Sequence, residues 1–257
     1  MMRSRRLWRS NAVLPALGVV WALALWWLAT LPLPGRSSLL AEFGPGPALA
    51  ALARMAQDGT LLHHSLISLR RVLMGLALAI GIGVPLGLLS GYVRGLERTT
   101  SPVFQFLRTI SPLSWMPIAI MVLGIADRAV VFLVAVAAVW PVLLNTAAGV
   151  RTLDRGWLWI ARSVGARPAE MLVHVALPAV LGHLVSGIRL ATGVAWIVLV
   201  PAEMLGVTSG LGYLVLDTRD RLAYPELAAS VLAIGSLGFL MDAAVRALEI
   251  KLGWAGG

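Results

Sequence analysis

The sequence predicts an all-α, polytopic membrane protein with about six transmembrane helices, and composition is the first reason. Of its 257 residues, 59% are hydrophobic and 13% are charged, and the mean hydropathy is +0.86. A soluble domain is roughly half apolar and about 25% charged, so a water-soluble fold has no place for this much apolar surface. Disorder is excluded because it requires low hydrophobicity. The chain contains no cysteine, which removes disulfides, thiolate nucleophiles and cysteine-bound metals.

Apolar runs of crossing length are the second reason. A transmembrane helix needs about 20 predominantly apolar residues. The predicted spans are 13–33, 72–90, 103–125, 129–150, 180–206 and 227–248. The first looks like a signal peptide, but it is longer than the usual apolar region of about 7 to 15 residues and lacks a clear cleavage site. We therefore interpret 13–33 as a retained anchor.

The basic residues orient these spans. Lysine and arginine exceed aspartate and glutamate by 21 to 12, and cytoplasmic loops usually hold such an excess. With the N-terminus inside, the larger share of cations faces the cytoplasm and both termini are cytoplasmic. The predicted cytoplasmic segments are then 1–12, 151–179 and 249–257, and the predicted outer segments are 34–71 and 207–226. Because the cations lie mostly between apolar runs, orientation explains them and no nucleic-acid partner is expected.

Glycines and prolines inside the spans indicate close packing and broken helices. Gly83, Gly87, Gly91 and Gly95 recur every four residues, which places them on one helical stripe where another backbone can approach. This stripe is interpreted either as ordinary helix packing or as a contact between subunits. Several spans are interrupted by proline, and a break inside a membrane requires protein or a water-lined cavity to satisfy the freed carbonyls. Such breaks fit a transporter better than a passive anchor.

Charged residues inside the spans are candidates for a translocation pathway. An arginine at the centre of a span costs about 2.5–3.5 kcal/mol on insertion scales, so Arg108 and Arg189 either pair or snorkel structurally or lie near a pathway. Glu203 is interpreted either as a pathway carboxylate or as an interfacial carboxylate bonded to a neighbouring helix. Trp115 and Asn145 complete the candidate pathway residues.

A long segment between the fourth and fifth predicted spans, Arg151 to Pro178, carries the strongest functional signal. Trp157 to Val164 predicts a short helix, Gly165 predicts a chain reversal, and Pro168 to Val175 predicts a second helix that starts with proline. A helix, turn and helix between two spans would form a compact knob. The knob is suited to docking on a cytoplasmic partner.

This segment resembles the EAA loop of ATP-binding-cassette (ABC) importer permeases. Gly165, nine residues and then Val175-Ala176-Leu177-Pro178 are similar to the G-x9-I-x-L-P core of that loop. The Glu-Ala-Ala of the full pattern falls at 159–161, where this chain has Trp-Ile-Ala and so lacks the carboxylate. The resemblance extends over 64–248, including SLISLRRVLMGLALAIGIGVPLGLLSGY and SGIRLATGVAWIVLVPAEMLGVTSGLGYLV. These segments are similar to the nitrate, taurine and aliphatic sulfonate branch of the permeases.

The resemblance implies a MetI-like permease fold in the bacterial inner membrane, with periplasmic outer segments. It implies a homodimer in contact with membrane lipid, two cytoplasmic ATPase subunits that bind ATP and Mg²⁺, and an external or periplasmic solute-binding protein. It also implies a set of ATPase-coupling residues: Ala161, Gly165, Ala166, Arg167, Glu170, Val175, Leu177 and Pro178. The implied cargo is a small oxyanion such as nitrate, taurine or another sulfonate. The alternatives are bicarbonate, a phthalate-like aromatic acid or a pyrimidine precursor of thiamine.

Other functional classes fit the sequence less well. The chain has no GxxxxGK[ST] phosphate loop, so it is not expected to hydrolyse ATP or to bind a cofactor itself. A membrane-embedded enzyme would need converging acids, bases or metal ligands, and the histidines form no HExxH spacing; His63 and His64 are adjacent and share no helical face. No catalytic residue or metal site is therefore predicted. A passive channel or secondary transporter fits the composition but leaves the Gly165–Pro178 segment unexplained.

Overall fold

The regular structure of the chain is helical. The structure is a computed structural model that describes residues 4–31, 39–153, 155–171, 174–175 and 177–251, and every regular element within those ranges is a helix. The predicted all-α fold is thereby confirmed. Parts of the predicted cytoplasmic termini, at 1–3 and 252–257, and the beginning of the predicted outer segment, at 34–38, lie outside the described residues.

Twelve helices and one 3₁₀ turn are present among the described residues. In chain order they are α1 (Ser4–Ala29), α2 (Leu39–Glu42), α3 (Pro45–Gln57), α4 (Thr60–Tyr92), α5 (Arg94–Thr109), the 3₁₀ turn (Pro112–Trp115), α6 (Met116–Leu123), α7 (Asp127–Thr152), α8 (Arg155–Ser163), α9 (Pro168–Met171), α10 (Leu177–Gly206), α11 (Leu211–Asp220) and α12 (Tyr224–Lys251). Within the described residues α4, α7, α10 and α12 are long and apolar enough to cross a membrane.

The third predicted span is broken. Where the sequence predicts one helix over 103–125, the structure has two helical segments, Thr99–Thr109 and Pro112–Leu123, bent by 86°. Pro112 supplies no backbone N–H, and it restricts Ser111 before it to an extended conformation; Ser111 has ψ 128°. The pair is either one bent span or a re-entrant loop, so the described residues contain four or five apolar segments long enough to cross a membrane.

The ends of two predicted spans also differ from the helices. Helix α4 begins at Thr60, twelve residues before the predicted span at 72, so part of the predicted outer segment 34–71 is helical. The first predicted span, 13–33, begins inside α1 and extends past its end at Ala29, and positions 32 and 33 lie outside the described residues. Hydropathy marks the apolar core of a helix, and a helix continues into polar residues wherever its backbone bonds can form.

The chain forms two compact units, and the first consists of Met1–His63 and Leu214–Ile234. In this unit the indole Nε1 of Trp26 donates a hydrogen bond to the carbonyl of Phe43 at 3.0 Å. The ring of Phe43 lies 5.1 Å from that of Tyr224. At the start of α4, Asp58 accepts a hydrogen bond from the N–H of Thr60, and this bond lowers the pKa of the Asp58 carboxyl below its ordinary value. The Asp58 bond caps the start of α4, and the ring contacts hold the segments of the first unit together.

The second unit, His64–Tyr213 and Gly235–Gly257, contains the main core. Its centre is the interface of α7 with α10. The fully buried residues of this core include Val130, Leu133, Val134, Ala138 and Val142 on α7, Ala191, Ala195, Leu199 and Ala202 on α10, and Val72 and Ala79 on α4. Small residues let the α7 and α10 backbones approach closely: a Cβ on Gly187 would lie 2.8 Å from the Cβ of Asn145.

The glycine stripe of α4 faces α7. A Cβ on Gly83 would lie 3.0 Å from Val142, one on Gly87 would lie 2.7 Å from the carbonyl oxygen of Leu143, and one on Gly91 would lie 2.6 Å from Val150. Packing within the chain is thereby confirmed for these three glycines. Gly95 is different because nothing lies within 4 Å of its Cβ position.

We expect Gly87→Ala to destabilise the protein and Gly81→Ala on the same helix to leave it unchanged or stabilise it. The new methyl group at 87 would force α4 and α7 apart, which costs about 1–3 kcal/mol as overpacking does elsewhere. Gly81 has nothing within 4 Å of its Cβ position, so alanine there gains helix propensity of about 0.5–1 kcal/mol. Thermal unfolding of the two purified variants in detergent measures the difference. Equal midpoints would contradict the packing role of the stripe.

Candidate functional site

The candidate coupling site is the knob, residues 155–171, which follows α7 directly. In α8 the large apolar side chains are exposed: Trp157 is 64% exposed, Trp159 69% and Ile160 64%. Among the described side chains of α8, Ala161 alone is buried. A helix that presents two tryptophans and an isoleucine to its surroundings is typical of a surface that another molecule covers.

Gly165 ends α8 with a defined turn. Its φ is +82°, a left-handed conformation that glycine adopts without strain. The N–H of Ala166 donates to the carbonyl of Ala161 at 3.1 Å and the N–H of Gly165 donates to that of Arg162 at 3.0 Å. These two bonds form a Schellman motif, which satisfies the last carbonyls of a helix. The chain reversal predicted at Gly165 is confirmed.

The short helix α9 begins with half of a capping box. The N–H of Arg167 donates to Oε2 of Glu170 at 2.8 Å, and Pro168 occupies the first helical position, where no N–H is needed. The carboxylate of Glu170 is therefore used inside the knob, whereas the side chain of Arg167 is exposed. The predicted second helix, 168–175, is described over Pro168–Met171 and as π-helical at His174 and Val175.

The knob is attached to the membrane helices at its two ends. Arg162 donates a hydrogen bond from Nη2 to the hydroxyl of Tyr92, at the end of α4, at 2.8 Å. Val175 and Pro178 line a cleft of about 680 Å³ together with Leu153 and Trp157. Leu177, the first residue of α10, packs against the buried cluster of Leu88, Val150 and Val180.

A buried ionic network joins α4, α7 and α10. Arg71 is 1% exposed, and all five of its N–H donors are used. Nε and Nη2 bond Oδ1 of Asp127 at 3.0 and 2.6 Å, Nη1 bonds Oε1 of Glu203 at 2.8 Å and the carbonyl of Ser209 at 2.6 Å, and Nη2 bonds Oγ of Ser209 at 2.8 Å. A buried guanidinium requires this degree of pairing.

Both carboxylate oxygens of Glu203 accept hydrogen bonds, as all the N–H donors of its partner Arg71 are used. Glu203 is 0% exposed and accepts hydrogen bonds from Ser68 Oγ at 2.9 and 2.8 Å and from the N–H of Gly212 at 2.9 Å. Ser68 Oγ in turn accepts the N–H of Leu211 at 2.8 Å. The carboxylate therefore fixes the turn after α10 to the N-terminal part of α4.

Sequence reasoning missed the role of Arg71. Arg71 falls in the predicted outer segment 34–71, whereas the structure places it inside α4 and buried. The signal was present in the glycine stripe: Arg71, Gly75, Ala79 and Gly83 recur at four-residue intervals, and residues at this spacing share one face of a helix. An arginine on the face that packs against α7 is buried, and a buried guanidinium requires a carboxylate partner.

The other candidate pathway residues occupy separate places. Arg189 forms ion pairs with Asp242 at 3.5 Å and Glu249 at 3.3 Å, both on α12. Asn145 donates from Nδ2 to the carbonyl of Pro141 at 2.8 Å. Trp115 is half-buried against the α7 and α10 core, and Arg108 is exposed and lines a small cavity. The five candidates do not converge on one site within the chain, and a pathway role for them stays a prediction.

These features coincide with those of known transport proteins. A family model described as "Binding-protein-dependent transport system inner membrane component" matches residues 83–253. Bicarbonate transport system permease protein CmpB of Synechococcus elongatus is 34% identical over 94% of this chain and 91% of its own length. Taurine transport system permease protein TauC of Escherichia coli is 32% identical over 98% and 94%. In a solved inward-facing MetNI methionine ABC transporter, one chain matches with a TM-score of 0.54 at 20% identity, over 71% of this chain and 93% of that chain.

The chain belongs to the family of binding-protein-dependent transport system inner-membrane components. It is an ABC importer permease subunit with several membrane-spanning helices, and it is not an enzyme: ATP hydrolysis lies in a separate ATPase subunit. The predicted resemblance to the nitrate, taurine and aliphatic sulfonate branch is confirmed, as is the MetI-like permease fold.

The ionic network predicts an asymmetric response to mutation. Arg71→Met would leave the buried Glu203 without a cation, and breaking a buried pair in this way costs about 3–5 kcal/mol. The double variant Arg71→Met, Glu203→Met removes both charges, so we expect it to be more stable than the single variant. Chemical unfolding of the purified proteins measures both values.

The matched control is Arg219→Met, because Arg219 is exposed and pairs with its sequence neighbour Asp220. We expect a change within about 0.5 kcal/mol for this surface residue. If Arg71→Met were no more destabilising than Arg219→Met, the network would not contribute to the stability of the fold.

Proposed function

We propose that two copies of this chain form the translocation pathway of an ABC importer and that the knob docks on a cytoplasmic ATPase subunit. The observation that carries the proposal is the knob itself. The knob is short and is defined by the Schellman motif at Gly165 and the capping bond of Glu170. It exposes Trp157, Trp159 and Ile160. In the chain it connects α7 to α10, the two helices whose interface forms the core.

The position of the knob supports a mechanical role. Helix α7 ends at Thr152 and α8 begins at Arg155, so little flexible chain separates them. On the other side, α10 begins at Leu177, a core-contacting residue. Closure of an ATPase pair would push the knob, and α7 and α10 would move with it, which is how a rigid-body shift switches a cavity between outward and inward access.

Trp159 supports apolar docking at the position where the EAA pattern has glutamate. The indole is 69% exposed and close in sequence to the exposed Ile160 and Trp157. Buried aromatic anchors commonly dominate the energetics of protein interfaces. We expect the ATPase partner to present an apolar cleft to this helix, with the exposed Arg167 as a charged contact at its edge.

The proposed partners are those that the family implies. The importer would contain a second permease copy, an ATPase dimer that binds ATP and Mg²⁺, and an external or periplasmic solute-binding protein that delivers the cargo. The knob and both termini would be cytoplasmic in a bacterial inner membrane, in agreement with the larger share of arginine predicted on that side. Lipid would contact the outer faces of the apolar helices.

The proposed cargo is a small oxyanion such as nitrate, taurine or another sulfonate. The support is the resemblance to permeases whose names specify bicarbonate and taurine. Bicarbonate itself, a phthalate-like aromatic acid or a thiamine pyrimidine precursor are the alternatives. Uptake assays with the assembled importer and its binding protein would distinguish these cargoes.

Gly165→Val tests the coupling role of the knob. Valine at φ +82° is strained by about 1–3 kcal/mol, so we expect the turn to shift and ATP-dependent uptake into proteoliposomes to fall at least several-fold. The double variant Gly165→Pro, Arg167→Glu should remain inserted and lose uptake, because proline cannot adopt a positive φ. Membrane insertion, binding-protein-stimulated ATP hydrolysis and uptake are measured together.

Gly59→Val is the control for backbone strain alone. Gly59 has φ +79° and, like Gly165, nothing within 4 Å of its Cβ position, but it lies outside the knob. We expect this variant to couple ATP hydrolysis to uptake normally. Normal coupling by the Gly165→Pro, Arg167→Glu protein would exclude the knob as the ATPase contact.

A further inference from the structure

An apolar groove lies between α4 and α7. It has a volume of about 470 Å³, within the range of about 300–1,000 Å³ that is usual for small-molecule sites. Among the described residues that line it, Arg128 is the single charged side chain, and the others are apolar. The apolar walls include Met74, Leu78 and Ile82 on α4 and Val131, Val136 and Val139 on α7.

The groove is as long as one leaflet of a membrane is deep. A Cβ on Gly75 would contact Val134 and one on Gly91 would contact Val150, so α4 and α7 run in the same direction. Arg128, the second residue of α7, therefore marks one end of the groove, and Val139 lies towards the other. The eleven residue steps between them rise by about 17 Å, about half of a hydrocarbon core of about 30 Å.

Arg128 is available to a ligand that arrives from the bilayer. Its side chain is exposed, and the neighbouring carboxylate of Asp127 bonds Arg71 instead. Within the described ranges Arg128 takes part in no ion pair or hydrogen bond. An arginine at the end of an apolar span extends its head to the membrane interface, where its planar fork matches two oxygens of a phosphate.

The apolar wall and the arginine select together what neither selects alone. Lipid tails are as apolar as the groove, so apolar contact by itself does not hold one lipid in place. A free phosphate would gain the arginine but leave the groove unused. An amphiphile with an anionic head and a long chain uses both features at once.

We propose that the groove is a binding site for a phospholipid, with one acyl chain between α4 and α7 and the phosphate on Arg128. In the orientation proposed above, Arg128 lies at the end of α7 away from the knob, so the lipid belongs to the outer leaflet. The bound chain would contact both helices beside the Arg71–Asp127 ion pair. It would therefore hold the outer ends of α4 and α7 together.

The charge of Arg128 favours a phospholipid over a second copy of the chain as the occupant. An apolar helix laid into the groove would bury the guanidinium with no partner, and an unpaired buried charge is strongly unfavourable. A phospholipid brings the anion and the apolar chain in one molecule. Covering by a second copy is accordingly an outcome that the test has to exclude.

The test counts lipids on the full-length chain, purified in detergent with the subunits that co-purify and then stripped of lipid. Native mass spectrometry follows a titration with dioleoylphosphatidylglycerol and reports the oligomeric state at the same time. Dioleoylglycerol supplies the same chains without phosphate, and glycerophosphoglycerol supplies the phosphate without chains. Because both halves of the lipid contribute, we expect only the complete phospholipid to be retained.

Two pairs of variants separate the arginine from the groove. Arg128→Gln removes the charge, and Arg219→Gln is its control because Arg219 is exposed and pairs with Asp220 outside the groove. Val136→Trp fills the groove from a half-buried position. Its control, Ile197→Trp, makes a similar change at a side chain of α10 that is 73% exposed.

We expect the affinity for phosphatidylglycerol to fall about tenfold in Arg128→Gln, since charge-assisted hydrogen bonds to the phosphate are lost. Val136→Trp should reduce it by at least as much, although the arginine is still present. Both controls should bind as wild type does. Added phosphatidylglycerol should also raise the thermal unfolding midpoint of wild type and leave that of Arg128→Gln nearly unchanged.

Three results would overturn the proposal. Wild type could retain dioleoylglycerol as well as phosphatidylglycerol, or Arg128→Gln could bind phosphatidylglycerol as tightly as wild type. Alternatively, Val136→Trp could convert a lipid-free dimer into monomers, which would assign the groove to a second copy of the chain. None of these results bears on ATP-dependent uptake, so the proposed function is tested separately.

Discussion

Close approach of three helix backbones is the constraint on which the main unit depends. Lipid tails are as apolar as leucine, so helices in a bilayer associate through tight packing rather than through escape from water. Glycines 83, 87 and 91 of α4 bring that helix against α7, and Gly187 of α10 brings a third backbone against the same helix. Helix α7 is consequently the central helix of this unit. The ionic network forms at its first residue and the knob follows its last.

Features determined by local sequence could be predicted, and features determined by distant pairing could not. The apolar spans and the reversal at Gly165 depend on length, hydropathy and one backbone conformation, all of which are local. Arg71 pairs with Glu203, 132 positions away, and no spacing rule connects them. The break at Pro112 is visible in the sequence as a proline, but no local pattern specifies its angle of 86°.

Arginine illustrates how far environment, rather than residue type, determines a role. Arg71 has no solvent contact of consequence and uses every donor on protein groups. Arg189 is partly exposed and lies between two carboxylates of α12. Arg108 faces a cavity. The sequence alone identified Arg189 and Arg108 as costly within a span. Ion pairing offsets that cost at Arg189, and access to water and to a polar cavity offsets it at Arg108.

The ionic network determines how α10 can move. Glu203 fixes one end of this helix to α4, α7 and the following turn, while the other end begins beside the knob. From Leu177 to Glu203 the helix rises through 26 residue steps, which correspond to about 39 Å at 1.5 Å per residue. A joint tilt of α7 and α10 that preserves the network has its pivot near Asp127 and Glu203, so a rotation of about 10° displaces the knob end by about 7 Å and leaves the far end in place. Helix α10 is therefore a lever with one fixed end.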